Sequence, residues 1–120
     1  MSKRFVVALS RGKEDPDRAT VAFTLANAAV GSEQETVVFL SSEGVRLAVA
    51  GYADDIAEPG FTPLKELMDK FVAAGGQIYV CLPCFNKRAL PEGEVVAGAV
   101  IVGGAKLVAF MAPGAASVSY

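Results

Sequence analysis

Two short runs, Phe5-Val6-Val7-Ala8-Leu9 and Thr36-Val37-Val38-Phe39-Leu40, are apolar almost without a break. A strand with one wet face alternates apolar and polar side chains. A run without alternation needs cover on both faces, which is the situation of a strand in a parallel sheet. Parallel neighbours cannot be joined by a tight turn; each pair needs a crossover, usually a helix. These runs therefore demand helices between the strands, and the rest of the chain supplies them.

Asp15-Pro16-Asp17 combines early acids with an early proline, both of which favour a helix N-terminus. The spacing predicts a helix to about Val30, stopped by Gly31. Ala19, Ala22, Phe23, Ala26 and Val30 form one apolar stripe, and Val21, Leu25 and Ala28 form a second. A surface that wide fits either sheet on one side and another subunit on the other, or deep burial within one domain. Ser41-Ser42-Glu43-Gly44 opens a short helix to about Ala50, with Val45, Ala48 and Val49 on one face. The stretch from Gly51 to Phe61 is the longest irregular one. It has the length of a lid or binding loop and the acids of a solvated surface.

Thr62-Pro63 caps a helix whose Leu64, Leu67, Met68, Phe71 and Val72 repeat at helical spacing, and Gly75-Gly76 ends it. Gln77 to Val80 is the third strand, running straight into Cys81. A short turn or helix near Pro91 to Val96 precedes a fourth strand, Ala99 to Val102. Gly103-Gly104 leads into a helix over about Ala105 to Ala112, and Ala116 to Tyr120 reads as a last strand. Strands and helices alternate throughout, with no repeat, linker or low-complexity tract. The expected fold is α/β: one domain over residues 1–120, a three-layer α/β/α sandwich with a mostly parallel five-stranded sheet. The sequence does not fix the strand order. In such a sheet the loops at the strands' carboxyl ends form the usual site edge. Ser10-Arg11-Gly12, Ser41-Ser42-Glu43 and the loop Cys81 to Arg88 all belong to that edge.

Charge is close to balance at −2 with no basic block, which argues against a nucleic-acid surface. Apolar residues make up 52% of the 120, against roughly 45–50% for an average soluble domain, so a homo-oligomer is expected. The opening M-S-K-R-F-V-V-A-L-S-R has too few apolar residues for a secretory signal and reads as a first strand. No apolar run approaches a membrane span. The expected location is cytoplasmic, where thiols stay reduced.

The chain's only two cysteines stand three apart in Cys81-Leu82-Pro83-Cys84, with Lys87 and Arg88 just behind. Four readings are open. A dithiol redox pair needs two sulfurs close enough to close a small disulfide, and Pro83 would constrain the turn. A zinc site wants about four nitrogen or sulfur ligands; the chain offers two thiols and no histidine, so no metal and no other cofactor is expected. A nucleophilic cysteine without histidine must be activated by backbone N–H groups or bases, and Lys87 and Arg88 are the obvious bases. The fourth reading is a pair of buried, inert thiols.

The segment Ile78-Tyr79-Val80-Cys81, then small or apolar residues, then Lys87-Arg88, resembles the DsrE/DsrF/TusD family of sulfur-transfer proteins. The resemblance extends to Ser10-Arg11-Gly12, the acidic helix start, Leu64-Lys65-Glu66-Leu67 before Gly75-Gly76, and the ending from Gly114 to Tyr120. It implies a cytoplasmic trimer or hexamer of small α/β subunits. It also implies a cysteine that accepts sulfane sulfur as a persulfide from a donor protein and passes it to an acceptor. Cys81 matches that cysteine by position. Cys84 stands where carriers usually have a small residue, as a modulating or resolving thiol. Ala89 stands where a glycine often follows the basic pair. The same fold also supports two other readings. One is a non-enzymatic oligomer that holds a ligand at Ser10, Arg11, Gly12, Ser41 and Ser42. The other is a CxxC dithiol oxidoreductase.

Overall fold

A computed structural model describes residues 3–120; Met1 and Ser2 of the opening stretch lie outside the described residues. Five strands, β1 (Arg4–Leu9), β2 (Glu35–Leu40), β3 (Gln77–Cys81), β4 (Ala99–Val102) and β5 (Ala116–Ser119), alternate with four α-helices. The helices are α1 (Pro16–Gly31), α2 (Leu64–Ala73), α3 (Leu82–Lys87) and α4 (Gly104–Met111). Two 3-10 segments, Ser42–Ala48 and Glu92–Glu94, complete the elements of the described residues.

The sheet order is β4-β3-β2-β1-β5 and every pairing is parallel. From β1 to β4 each crossover steps the same way across the sheet, and the last crossover returns past all of them to β5. Right-handed crossovers then put the first three connections on one face and α4 on the other. The two cores follow that division. On the first face Val7, Leu9, Val38, Leu40, Ile78 and Val80 pack beneath Phe23 of α1, Phe71 of α2 and Phe85 of α3. Phe23 and Phe71 meet edge to face with ring centroids 6.0 Å apart. On the second face Val6, Val37, Tyr79 and Val102 lie beneath Phe110 of α4. This second layer is a single eight-residue helix, and it leaves Val100 55% and Val108 66% exposed.

Helix ends carry the expected chemistry with one difference. Asp15 caps α1, accepting the Arg18 N–H at 3.1 Å, and Pro16 occupies the first turn. Gly31, expected to stop α1, is its last helical residue; the chain turns at Ser32 and Glu33, with Glu33 at φ +62°. Gly75 at φ +98° does stop α2. The first stripe of α1 faces the core as expected. Leu25 and Ala28 of the second stripe line a groove of about 430 Å³ with Phe5, Ala29, Ser32, Gln34 and Ala116.

Two segments depart more clearly from the sequence reading. Cys81 to Arg88, expected as a loop, holds α3. Its six residues are too few to show a period, and its Pro83 sits in the first turn, where a missing N–H leaves nothing unpaired. The segment expected as a short helix from Ser41 to about Ala50 is the tighter 3-10 form. The stretch from Gly51 to Phe61 is anchored. Ala53 and Ile56 are buried in the core, the Tyr52 hydroxyl accepts the Lys13 N–H at 2.8 Å, and Lys13 pairs with Asp55 at 3.1 Å.

Candidate functional site

The connection after β3 enters α3 on the first face, and the connection after β4 enters α4 on the second. Adjacent strands whose connections diverge in this way open a crevice at their carboxyl ends. Cys81 is the last residue of β3 and pairs with Val102, the last residue of β4. The strand order thus sets the cysteines at the one place where the sheet divides its helices between faces.

Cys81 is the N-cap of α3, and Cys84 is its third helical residue. Both are half-buried and neither is in a disulfide. Leu82 and Pro83 between them are exposed. Phe85, the next residue, is fully buried and fixes α3 to the first-face core.

Arg88 is 15% exposed along its side chain and makes two contacts through it. Its Nε donates to Glu43 Oε2 at 2.6 Å, and its Nη1 donates to the Cys84 carbonyl at 3.1 Å. The other oxygen of Glu43 accepts from Arg46 Nε at 2.9 Å. The Arg88 bond, and after it the Arg46 bond, hold the Glu43 carboxyl below the usual range. Arg88 therefore ties the cysteine helix to the 3-10 segment that follows β2. Lys87 is exposed. Among the described residues no third metal-ligating side chain joins the cysteines.

Ser42 stands at φ +48°, in the left-handed region that non-glycine residues rarely occupy. Gly44 N–H closes the turn onto the Ser41 carbonyl at 2.9 Å, and a Cβ at Gly44 would run into the Leu9 carbonyl. The turn is thus held from both sides. In it the Ser42 backbone N–H acts to lower the Cys84 thiol. Burial raises both thiols. For Cys81 that effect prevails, with the neighbouring Cys84 adding to it against the Cys84 N–H and Arg88. For Cys84 burial is outweighed by the Ser42 N–H, the Cys81 thiol and the charges of Arg88 and Lys87, so its thiol lies below the ordinary value.

The other expected site residues have different surroundings. Ser10 donates both its N–H and its hydroxyl to the Tyr120 carbonyl at 3.0 Å, on the β1–β5 side of the sheet. Gly12 is buried at a close approach: a Cβ there would come within 2.7 Å of the Tyr52 hydroxyl and 2.9 Å of the Glu43 carbonyl. Arg11 is exposed. Ser41 holds the turn through its backbone, as its N–H donates to the Leu9 carbonyl at 3.0 Å. The structure therefore brings Cys81, Cys84, Ser42 and Arg88 together and leaves Ser10 two strands away from β3. Glu43, placed at the site edge from the sequence but given no role there, belongs to the cluster with Arg46, which was not among the expected site residues. Their only signal in the sequence is an acid and a base three apart just past the end of β2.

The ychN protein of E. coli has the same fold, with a TM-score of 0.81 at 16% identity over 98% of this chain and 99% of that one. MTH1491 of Methanobacterium thermoautotrophicum, described as a protein of unknown function, gives a TM-score of 0.68 at 15% identity over 99% of this chain and all of that one. In sequence, the uncharacterized protein MJ0760 of Methanocaldococcus jannaschii is 30% identical over 93 residues. That match takes in 73% of this chain and 34% of the relative, so the chain spans about a third of that protein's length. Residues 3–120 match the profile of the DsrE/DsrF-like family from end to end, and the chain belongs to that family.

Proposed function

We propose that this chain is a small sulfur carrier, or a subunit of a sulfurtransferase, that takes up sulfane sulfur as a cysteine persulfide on the Cys81–Cys84 pair and relays it to a partner. The observation that carries the reading is the pair itself: two reduced, half-buried thiols at the divided edge of the sheet, with a backbone N–H and a guanidinium beside them. Sulfur transfer proceeds by attack of a thiolate on a sulfur, and it needs a stabilised thiolate and access for a partner. Membership in the DsrE/DsrF-like family, a sulfur-transfer-related family, supports the same reading. The chain works in a reducing compartment, the cytoplasm, with donor and acceptor proteins as partners. It acts as a homo-oligomer, a trimer or a hexamer.

A dithiol oxidoreductase is the second reading, favoured by the placing of Cys81 at the N-cap of α3 and Cys84 in its first turn. The reading as a non-enzymatic ligand-binding oligomer gains less support, because the Ser10 hydroxyl is already engaged by Tyr120. Intact-protein mass spectrometry after incubation of the reduced chain with a low-molecular-weight persulfide separates these readings. A carrier gains one reducible sulfur, or loses two hydrogens with release of one sulfide once the second thiol has attacked. An oxidoreductase gains no sulfur, and in a parallel incubation with a low-molecular-weight disulfide it loses two hydrogens as that disulfide is reduced to two thiols. A chain whose thiols stay unchanged contradicts both.

A further inference from the structure

An open sheet ends on two strands whose outer backbone groups have no neighbour, and here those strands are β4 and β5. We propose that β4 pairs antiparallel with β4 of a second copy of this chain, about a two-fold axis at Ile101, so that the two sheets run on as one. The proposal rests on the homo-oligomer reading and names one contact of that assembly.

The Gly98 carbonyl accepts the Ile78 N–H at 3.2 Å, so Gly98 faces β3. Backbone direction alternates along a strand, which turns the groups of Val100 and Val102 toward β3 as well. Those of Ala99, Ile101 and Gly103 point away from the sheet; Gly103, at φ −78° and ψ +163°, is still extended. Two groups of this outward row are engaged within the chain. The Ala99 N–H donates to the Val96 carbonyl at 3.2 Å, and the Gly103 carbonyl accepts the Lys106 N–H at 3.1 Å. The Ala99 carbonyl, the Ile101 N–H, the Ile101 carbonyl and the Gly103 N–H have no bond among the described residues.

An antiparallel pair centred on Ile101 uses those groups and no others. Ile101 and its copy exchange both N–H···O=C bonds, as directly opposed residues of a hydrogen-bonded pair do. Two residues along, the Gly103 N–H of each copy meets the Ala99 carbonyl of the other. A full ladder would also join the Ala99 N–H to the Gly103 carbonyl, and these are the two groups already engaged. Centring the axis on Val100 or Val102 instead would call on an engaged group and leave one group of Ile101 unpaired. Backbone groups removed from water need partners, and the Ile101 register leaves none over.

Val100 is a separate observation. Its side chain stands on the second face where α4 leaves it 55% exposed. In this register it lies opposite Val102 of the second copy in a non-hydrogen-bonded pair, the arrangement that brings side chains closest. The edge is also undefended. Strands that stay single carry charge, proline or a bulge; β4 reads Ala-Val-Ile-Val and pairs with β3 without interruption. No like charges on β4 meet across the axis. A contact of β4 with β5 of another copy would repeat without closing, whereas β4 on β4 closes after two copies. A trimer has no two-fold axis and a hexamer of two trimers has, so the pairing belongs to the larger of the two expected assemblies.

The test places one thiol on the axis. Ile101→Cys is made in the full chain carrying Cys81→Ser and Cys84→Ser, so no other cysteine is present. Opposed residues of a hydrogen-bonded pair stand about 5.5 Å apart at Cα, within the roughly 4.4–6.8 Å a disulfide spans. Ala99→Cys in the same background is the control, because its counterpart lies four residues further along the second copy, roughly 14 Å away. With copper phenanthroline at micromolar protein, Ile101→Cys is expected to form a covalent dimer at least tenfold faster than Ala99→Cys. In the parent, Val100→Lys is expected to halve the sedimenting assembly and Val100→Ile to leave it whole, with both melting cooperatively as folded chains. Cross-linking of both cysteine variants alike, or of neither, or an oligomer unchanged by Val100→Lys, overturns the pairing and leaves the homo-oligomer reading standing. A monomeric parent overturns both. A parent that sediments as an open series of sizes puts β4 against β5 and overturns the closed pair.

Discussion

At the scale of single residues, two backbone conformations mark what the local sequence has to accept. Ala89 follows α3 at φ +51°. Its N–H reaches the Asn86 carbonyl at 3.0 Å and the Leu90 N–H reaches the Phe85 carbonyl at 3.4 Å, the paired bonds of a helix stop that favours glycine. The left-handed conformation costs an ordinary residue about 1–2 kcal/mol, and glycine returns part of the gain as extra freedom in the unfolded chain. Ala89→Gly is therefore expected to stabilise the fold by about 0.5–1 kcal/mol, read as a higher denaturant midpoint at unchanged slope. A lower midpoint would contradict this account of the stop. Gly44 is the opposite case. Its missing Cβ is what lets the turn after β2 lie on Leu9. Gly44→Ala is expected to destabilise by about 1–3 kcal/mol, read as a lower denaturant midpoint.

At the scale of elements, α1 is set by its first turn. Asp15 accepts from the Arg18 backbone and side chain, and these bonds hold its carboxyl below the usual range. A carboxyl depressed in the folded state contributes stability above its unfolded value and loses it as pH falls through the folded value. Asp15→Ala is expected to lower the melting temperature at neutral pH, with the gap to the parent closing on acidification. A gap that stays constant into acid would sink that assignment. The element order was legible because the strands are continuous apolar runs and the helices are bounded by Asp15, Gly75 and the Gly103-Gly104 pair. α3 was not legible, since six residues containing a proline carry no helical period. Within the site, the cysteines and Arg88 were visible as a local motif. The contact of Ser42 and Glu43 with α3 was not, because it joins the connections after two different strands and depends on β2 lying beside β3.

At the scale of the whole molecule, the sheet is covered unevenly. A wholly parallel sheet has both faces packed, yet α4 alone serves the second face and leaves Val100 and Val108 open. The apolar surplus in the composition points the same way. The sequence placed a second subunit on α1; the open α4 face is the contact proposed instead, so the parent should sediment as an oligomer at micromolar concentration and Val108→Glu should shift it toward monomer. A monomeric parent would contradict the expectation. An oligomer indifferent to Val108→Glu but dispersed by Leu25→Glu would put the contact on the groove beside α1. Assembly and sulfur chemistry are separable here, because the cysteines lie at the carboxyl edge of β3 and not on the open surfaces of α4 or α1.

The central claim is that the Cys81–Cys84 pair carries sulfane sulfur. The most direct measurement is the intact mass of the reduced parent chain after incubation with a low-molecular-weight persulfide, beside Cys81→Ser and Cys84→Ser, neither of which can close the disulfide. The account predicts a gain of one sulfur by at least one of the two variants, removed by a reducing agent and located on its remaining cysteine. A parent and two variants that all stay at their starting mass, while their thiols remain open to iodoacetamide, would contradict it.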